Sequence, residues 1–278
     1  MKNLTSISFF VALFIIGCGK KADTNPKPVI TDTPIVQEVK PDSFSFEVDT
    51  FSIFEKDSKC DPNGSQCAYC NFYYEKIKKP FLIVHDSVNV FIDTMMHRSM
   101  RNISESYKGN DYKKIAKQFI IDSKTADEDG FGGWTWDLTI VIQQSVKELF
   151  TVDVSAGGYL GGAHGNYYTT THHFLITNGK KITVKDIFTN IDEVNKIGEK
   201  YFRKKNELDA DESLEELGFW FPDNKFTVND NFTISEDKIY FFYNTYEIAP
   251  YAYGPVEFSI PLKDIEKLMK IKLTPIHI

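Results

Sequence analysis

Apolar residues in this chain recur at two different periods, and the order in which the periods alternate restricts the architectures open to it. From Phe44 to Phe54 the apolar positions Phe44, Phe46, Val48, Phe51 and Ile53 are separated by polar ones, the period of two expected of a half-buried strand. After Asp61-Pro62-Asn63-Gly64, a run of turn-forming residues, Phe72-Tyr73-Tyr74-Glu75-Lys76-Ile77 resumes the extended pattern, so the two stretches read as a hairpin. The period then changes. Val88, Phe91, Ile92 and Met95 stand at i, i+3, i+4 and i+7 behind Asp86 or Ser87, which predicts a capped helix with one apolar face. A second helical stretch runs from about Asp111 to Ile120, and the turn Gly130-Phe131-Gly132-Gly133 leads into Trp134–Gln144 and Glu148–Val154, both extended by composition. Strands at both ends with helices between predict an α+β layer, a small antiparallel sheet covered by one or two helices.

The same grammar repeats in the second half. Tyr167–Thr177 is β-branched and aromatic, Asn178-Gly179 is a hairpin turn, and Ile182-Thr183-Val184 continues it. Val194, Ile197, Tyr201 and Phe202 line one face of a helix; Phe232–Ser235, Lys238–Tyr243 and Val256–Ile260 read as strands, and Pro261 opens a last helix to about Met269. The expected fold is therefore α+β in two small subdomains, residues 44–156 and 157–270, each an antiparallel sheet packed with one or two helices.

Residues 1–17 carry Lys2 and then an apolar run ending Phe14-Ile15-Ile16-Gly17, followed by Cys18. The apolar stretch is shorter than the roughly 20 residues that span a bilayer, so it reads as a signal peptide. Ile15-Ile16-Gly17-Cys18 resembles the bacterial lipobox, which implies a lipid on the Cys18 thiol and cleavage before it. Residues 18–43 have no hydrophobic period and contain Pro26, Pro28, Pro34 and Pro41; such a segment is an extended tether of about 3.1 Å per residue where polyproline-like. The expected location is the bacterial cell envelope outside the cytoplasm, at the membrane through the lipid.

The formal charge is −7 over 278 residues, and cleavage would remove only Lys2 among charged groups. An acidic balance excludes nucleic acid as the partner, because phosphate contacts need a lysine and arginine surplus. Cys60, Cys67 and Cys70 cluster around the first hairpin turn. Outside the cytoplasm two of them should oxidise, Cys60 with either Cys67 or Cys70, leaving one thiol over. Three thiolates at this spacing lack a fourth local ligand, so neither a metal nor a cofactor is expected.

Two constellations could carry function. His164 sits in Gly157-Gly158-Tyr159-Leu160-Gly161-Gly162-Ala163-His164-Gly165, where glycines permit positive φ and the close approach of a ligand or another strand. The run is neither a phosphate-binding loop nor a nucleophile elbow, and reads first as a domain junction whose histidine bonds the backbone. Tyr246-Glu247-Ile248-Ala249-Pro250-Tyr251-Ala252-Tyr253-Gly254-Pro255 is the other: a fixed turn-rich segment whose tyrosines offer flat amphipathic surfaces. The adjacent His172 and His173 lie on a strand, so their rings point to opposite faces and only one should face inward.

These two segments also carry a family likeness. The Gly-Gly-Ala-His-Gly run, the turn Asn178-Gly179-Lys180-Lys181-Ile182-Thr183-Val184-Lys185-Asp186-Ile187-Phe188, and the tyrosine segment with Phe258-Ser259-Ile260-Pro261 after it resemble the RsiV-type extracytoplasmic domain, formally a domain of unknown function. Residues from about Phe44 to Ser155 resemble, more in pattern than in motif, the PdaC-type N-terminal domain. The best understood member of the first family is a membrane-bound anti-sigma factor whose outer part binds lysozyme. This chain departs from it in having a lipobox instead of a transmembrane helix and no cytoplasmic segment to hold a sigma factor. The resemblance implies a non-catalytic envelope binding module for a lysozyme-like enzyme or a cell-wall glycan, with His164, Tyr246, Glu247, Tyr251 and Tyr253 as candidate ligand-binding residues. The competing expectation is an enzyme acting on peptidoglycan or polysaccharide with His164 and Glu247 as acid–base groups.

Overall fold

A computed structural model describes residues 46–58, 67–79, 83–104, 106–128 and 133–276. Cys18, the tether, Cys60 and the turn at 61–64 lie outside the described residues. The fold is α+β, with a six-stranded and a three-stranded sheet. β1 (Glu47–Lys56) and β2 (Tyr69–Lys79) pair antiparallel as the alternation predicts. α1 (Ile83–Ile103) and α2 (Tyr112–Glu128) follow, then β3 (Thr135–Val146), β4 (Leu149–Tyr159), β5 (Asn166–Leu175) and the short β6 (Lys181–Ile182). These strands lie in sequence order across one sheet.

α1 starts earlier than expected, so Asp86 lies in its first turn and does not cap it. Its buried residues Val84, Val88, Ile92, Met96 and Met100 repeat every four positions and form one core with Phe72, Leu138, Ile140, Phe150 and Val152 from the sheet. Asp111 caps α2, its carboxylate accepting from the Lys114 amide at 2.9 Å. The expected purely antiparallel sheet is corrected at one pair: β2 and β3 run parallel, Tyr69 opposite Thr135 and Tyr74 opposite Ile140. The two helices between them form a crossover, which joins strands that run the same way, whereas tight hairpins join opposed ones.

The second sheet is the meander β7 (Phe232–Ser235), β8 (Lys238–Tyr243) and β9 (Val256–Pro261), antiparallel throughout. α3 (Val184–Ile187), α4 (Ile191–Lys205) and α5 (Leu262–Ile265) complete this half. A second core gathers Phe202, Phe219, Phe221, Phe226, Phe241 and Phe258, and it also takes Val146, Leu149 and Ile182 from the first sheet. The larger sheet thus feeds both cores, and the expected boundary between 156 and 157 falls inside β4, where Ala156 and Gly157 are both paired with β3 and β5. The Gly-rich run is accordingly the end of a β4–β5 hairpin.

Candidate functional site

The loop 160–165 and the segment after β8 meet at the surface, which brings together three of the residues singled out from sequence. The His164 ring stacks on Tyr251 with centroids 4.2 Å apart and planes inclined by 23°. Tyr246 stands 5.4 Å from Tyr251 and 6.4 Å from His164. All three are exposed, Tyr246 at 53% and Tyr251 at 45%. Large rings left half in water are the informative exception to burial.

The local structure explains how they are held. Gly158 pairs with Trp136 on one side and Asn166 on the other, and a Cβ there would run into the Thr135 carbonyl. Glycine is thus demanded at that position by the neighbouring strand. At Gly162 the demand is conformational, with φ 109°. His164 Nδ1 donates to the Gly165 carbonyl at 3.0 Å, as expected of a ring that bonds the local backbone.

Glu247 fastens the other segment. Its Oε2 accepts from the Asn244 amide at 2.8 Å, its Oε1 from Asn229 Nδ2 at 2.8 Å, and its carbonyl from Trp220 Nε1 at 3.0 Å. Ile248 and Ala249 are buried beneath. The tight turn forces Tyr246 to φ 68°, a left-handed conformation that costs a non-glycine residue of order 1–3 kcal/mol. Strain of this kind persists where the surroundings over-determine it. Tyr253 is turned elsewhere: its hydroxyl donates to the Leu217 carbonyl at 3.1 Å and its ring meets Phe219 edge-on at 5.2 Å.

These contacts separate the candidates. His164, Tyr246 and Tyr251 form one platform, Tyr253 flanks a different pair, and the Glu247 carboxylate holds a turn. The His164 ring bonds its own backbone, the Glu247 carboxylate is taken up by Asn244 and Asn229, and no hydrogen bond joins the two among the described residues. Tyr167, exposed at 59%, reads in sequence as one more outward residue of an alternating strand. Trp220, at 43%, had an available signal in the aromatic density of Phe219-Trp220-Phe221. Cys67 is disulfide-bonded and Cys70 is a free, buried thiol.

Both adjacent histidines are packed, which corrects the expectation that only one would be. His173 lies between the sheets, stacked on Phe232 at 4.1 Å. His172 faces α1, with the Phe91 ring 4.7 Å away and Thr170 Oγ1 3.0 Å from its Nε2. Burial, and after it the charge of Lys181, pulls the His172 pKa down to about 3. Nearby, two asparagine side chains do the work of a missing strand. Asn231 Oδ1 accepts from the Thr171 amide at 2.8 Å while its Nδ2 donates to the Thr169 carbonyl at 2.8 Å; Asn244 Oδ1 accepts from the Thr169 amide at 2.7 Å. The β5 edge left by the short β6 is closed in this way.

Residues 180–263 match the model of a family described as a protein of unknown function (DUF3298). The matched stretch runs from β6 to α5 and includes the Tyr246–Tyr253 segment, while His164 lies before it. No curated protein matches the chain. Among solved structures the chain is similar to a member of the DUF3298 family from Bacteroides fragilis, at 22% identity and TM-score 0.63, covering 82% of this chain and 94% of that one. It is also similar to a DUF3298 family protein from Pseudomonas aeruginosa, at 18% identity and TM-score 0.58, covering 83% and 97%. Likeness at such identities is likeness of fold.

Proposed function

We propose that this protein is a non-catalytic binding module of the bacterial cell envelope, held at the membrane through lipid on Cys18, and that its partner is a cell-wall glycan. The observation that carries the reading is the exposed platform of His164, Tyr246 and Tyr251, built from two segments far apart in sequence. Flat amphipathic rings receive the apolar faces of sugar rings at little entropic cost, since each has only two side-chain torsions to fix. The lipobox-like Ile15-Ile16-Gly17-Cys18 supports the location, and the likeness to RsiV-type and PdaC-type envelope domains supports the kind of work. The test is co-sedimentation of the full chain, in detergent micelles, with insoluble peptidoglycan. Tyr246→Gly is the informative variant, because it removes the ring and also relieves the left-handed backbone at φ 68°. We expect it to unfold no earlier than the wild type while binding at least about tenfold less. Undiminished sedimentation of this variant would contradict the reading.

A lysozyme-like enzyme is the second reading, supported by the formal charge of −7, which suits attraction to a basic protein. Calorimetric titration with purified lysozyme separates the two: heat of binding that is lost above about 0.3 M salt, together with no sedimentation on peptidoglycan, would favour the enzyme as partner.

A further inference from the structure

α1 and α2 cover one face of the six-stranded sheet, and β7 covers one end of the other face, where Phe232 meets His173. The rest of that second face presents half-buried or exposed side chains, among them Tyr69, Asn71, Asp137, Thr139, Ser155 and Tyr167. In register across it stand Asn71, Asp137, Gly157 and Tyr167, one from each of β2, β3, β4 and β5. Gly157 shapes this row: a Cβ there would lie 2.7 Å from Tyr167 Cδ1 and 2.3 Å from the Asn166 carbonyl oxygen. Because no side chain stands there, the Tyr167 ring lies down over the β4 backbone, with 59% of the residue left in water. Neither core includes Tyr69, Tyr159 or Tyr167, so this ring is not held flat by burial.

Asp137 stands at the centre of the row. One of its oxygens accepts from the Tyr69 hydroxyl at 2.8 Å and the other from Asn71 Nδ2 at 3.1 Å. A carboxylate offers about four acceptor sites, so these two bonds orient the group and leave about half of its capacity open. Burial first, then Asp137 and after it Tyr167, push the Tyr69 phenol upward, so Tyr167 lies within electrostatic reach of the pair. A flat ring beside an oriented carboxylate supplies the two contacts a sugar needs, an apolar face for its C–H groups and a charged acceptor for neighbouring hydroxyls. The charge of the face narrows the sugar. Glu75, Asp137 and Asp153 all stand on it, and no lysine or arginine occupies an outward position from Tyr69 to Glu75, Thr135 to Gln143, Thr151 to Tyr159 or Tyr167 to His173. Three carboxylates without a base repel an acidic sugar and admit an uncharged one. The face also adjoins the aromatic platform: a Cβ on Gly165 would lie 3.0 Å from Tyr167 Cε2, and the Gly165 carbonyl accepts from His164. One glycine thus has the Tyr167 ring on one side and the His164 ring on the other.

We propose that Tyr167 and Asp137 form a second sugar position beside the platform, which takes an uncharged pyranose with its apolar face on the Tyr167 ring and its hydroxyls donating to the Asp137 carboxylate. The inference rests on the glycan reading above and names the class of sugar that reading leaves open. The experiment is calorimetric titration of the full chain in detergent micelles with two probes, the neutral trisaccharide of N-acetylglucosamine and the acidic trisaccharide of galacturonic acid. The neutral probe is expected to bind at least about tenfold tighter than the acidic one. Tyr167→Ala should lose at least about tenfold of that affinity and Tyr167→Phe, which keeps the ring, no more than about threefold. Asp137→Asn, which keeps the shape and the Tyr69 bond but not the charge, should lose about fivefold. Overhauser contacts from the sugar ring protons to the Tyr167 ring locate the bound sugar. Equal affinity for the two probes in the wild type, or none for either, overturns the proposal without reference to any variant, as does undiminished binding by Tyr167→Ala. If whole peptidoglycan sediments the wild type but not Tyr246→Gly in any of those cases, the glycan reading stands and only this second position falls; if it sediments neither, both fall.

Discussion

His173 illustrates how a single residue couples the fold to pH. It is 1% exposed, and both ring nitrogens are used: Nε2 donates to the Phe232 carbonyl at 2.7 Å, which fixes the tautomer, and Nδ1 accepts from the Thr151 hydroxyl at 3.1 Å. Burial first, opposed by the Phe232 hydrogen bond, brings its pKa down from 6.5 to about 4. The unfolded chain therefore takes up a proton near pH 6.5 that the folded chain refuses until about pH 4. The contribution of this ring to stability is complete above pH 6.5 and declines as pH falls, by as much as about 3 kcal/mol at the lower end. The melting temperature should drop steadily from pH 6.5 to 4.5 while the His173 ring resonances stay unchanged to pH 5; a ring that titrates near 6.5 in the folded protein would refute this. The opposed directions of His172 and His173 were legible from strand alternation. That both would be covered was not, because the cover on one side comes from Phe232, in a strand that the periodicity of β5 says nothing about.

At the scale of elements, the pattern of apolar residues located β1, β2, β3, β4, β7, β8 and β9 within a few positions, since alternation and turn chemistry are local. Pairing is not local. Nothing in Tyr69–Lys79 or Thr135–Val146 announces that the two strands run parallel; that follows from α1 and α2 crossing one face between them. The Gly157–Gly165 run gave a half-answer for the same reason: five glycines signal close approach without saying to what. At Gly158 the answer is the backbone of β3, and at Gly162 it is a left-handed turn. Gly158→Ala should therefore cost about 3 kcal/mol or more, because a carbonyl in a central strand cannot step aside, whereas Gly162→Ala, with nothing within 4 Å of the added carbon, should cost only the roughly 1–2 kcal/mol of the strained φ. Chemical denaturation of the two variants measures the difference, and equal losses would contradict the assignment of Gly158 to strand packing.

For the whole molecule, the two sheets are bound by features that neither half could supply alone. Val146, Leu149 and Ile182 leave the larger sheet to enter the second core, His173 bonds β7, and Asn231 and Asn244 clasp β5. The clasp was illegible in sequence because asparagines before and after a strand read as ordinary turn residues. Scanning calorimetry should accordingly find one transition whose van't Hoff and calorimetric enthalpies agree; two resolved transitions would mean that the halves unfold independently. The same closure bears on the odd cysteine. Cys70 is wholly buried in the first core, and burial, with Asp137 and Glu55 nearby, drives its pKa upward, so the thiolate needed to attack a disulfide neither forms nor reaches one. Once α1 and α2 have closed over β2, the bond at Cys67 can no longer be exchanged for one at Cys70. Burial thus fixes the pairing that the folded chain holds, with Cys67 bonded and Cys70 a free thiol.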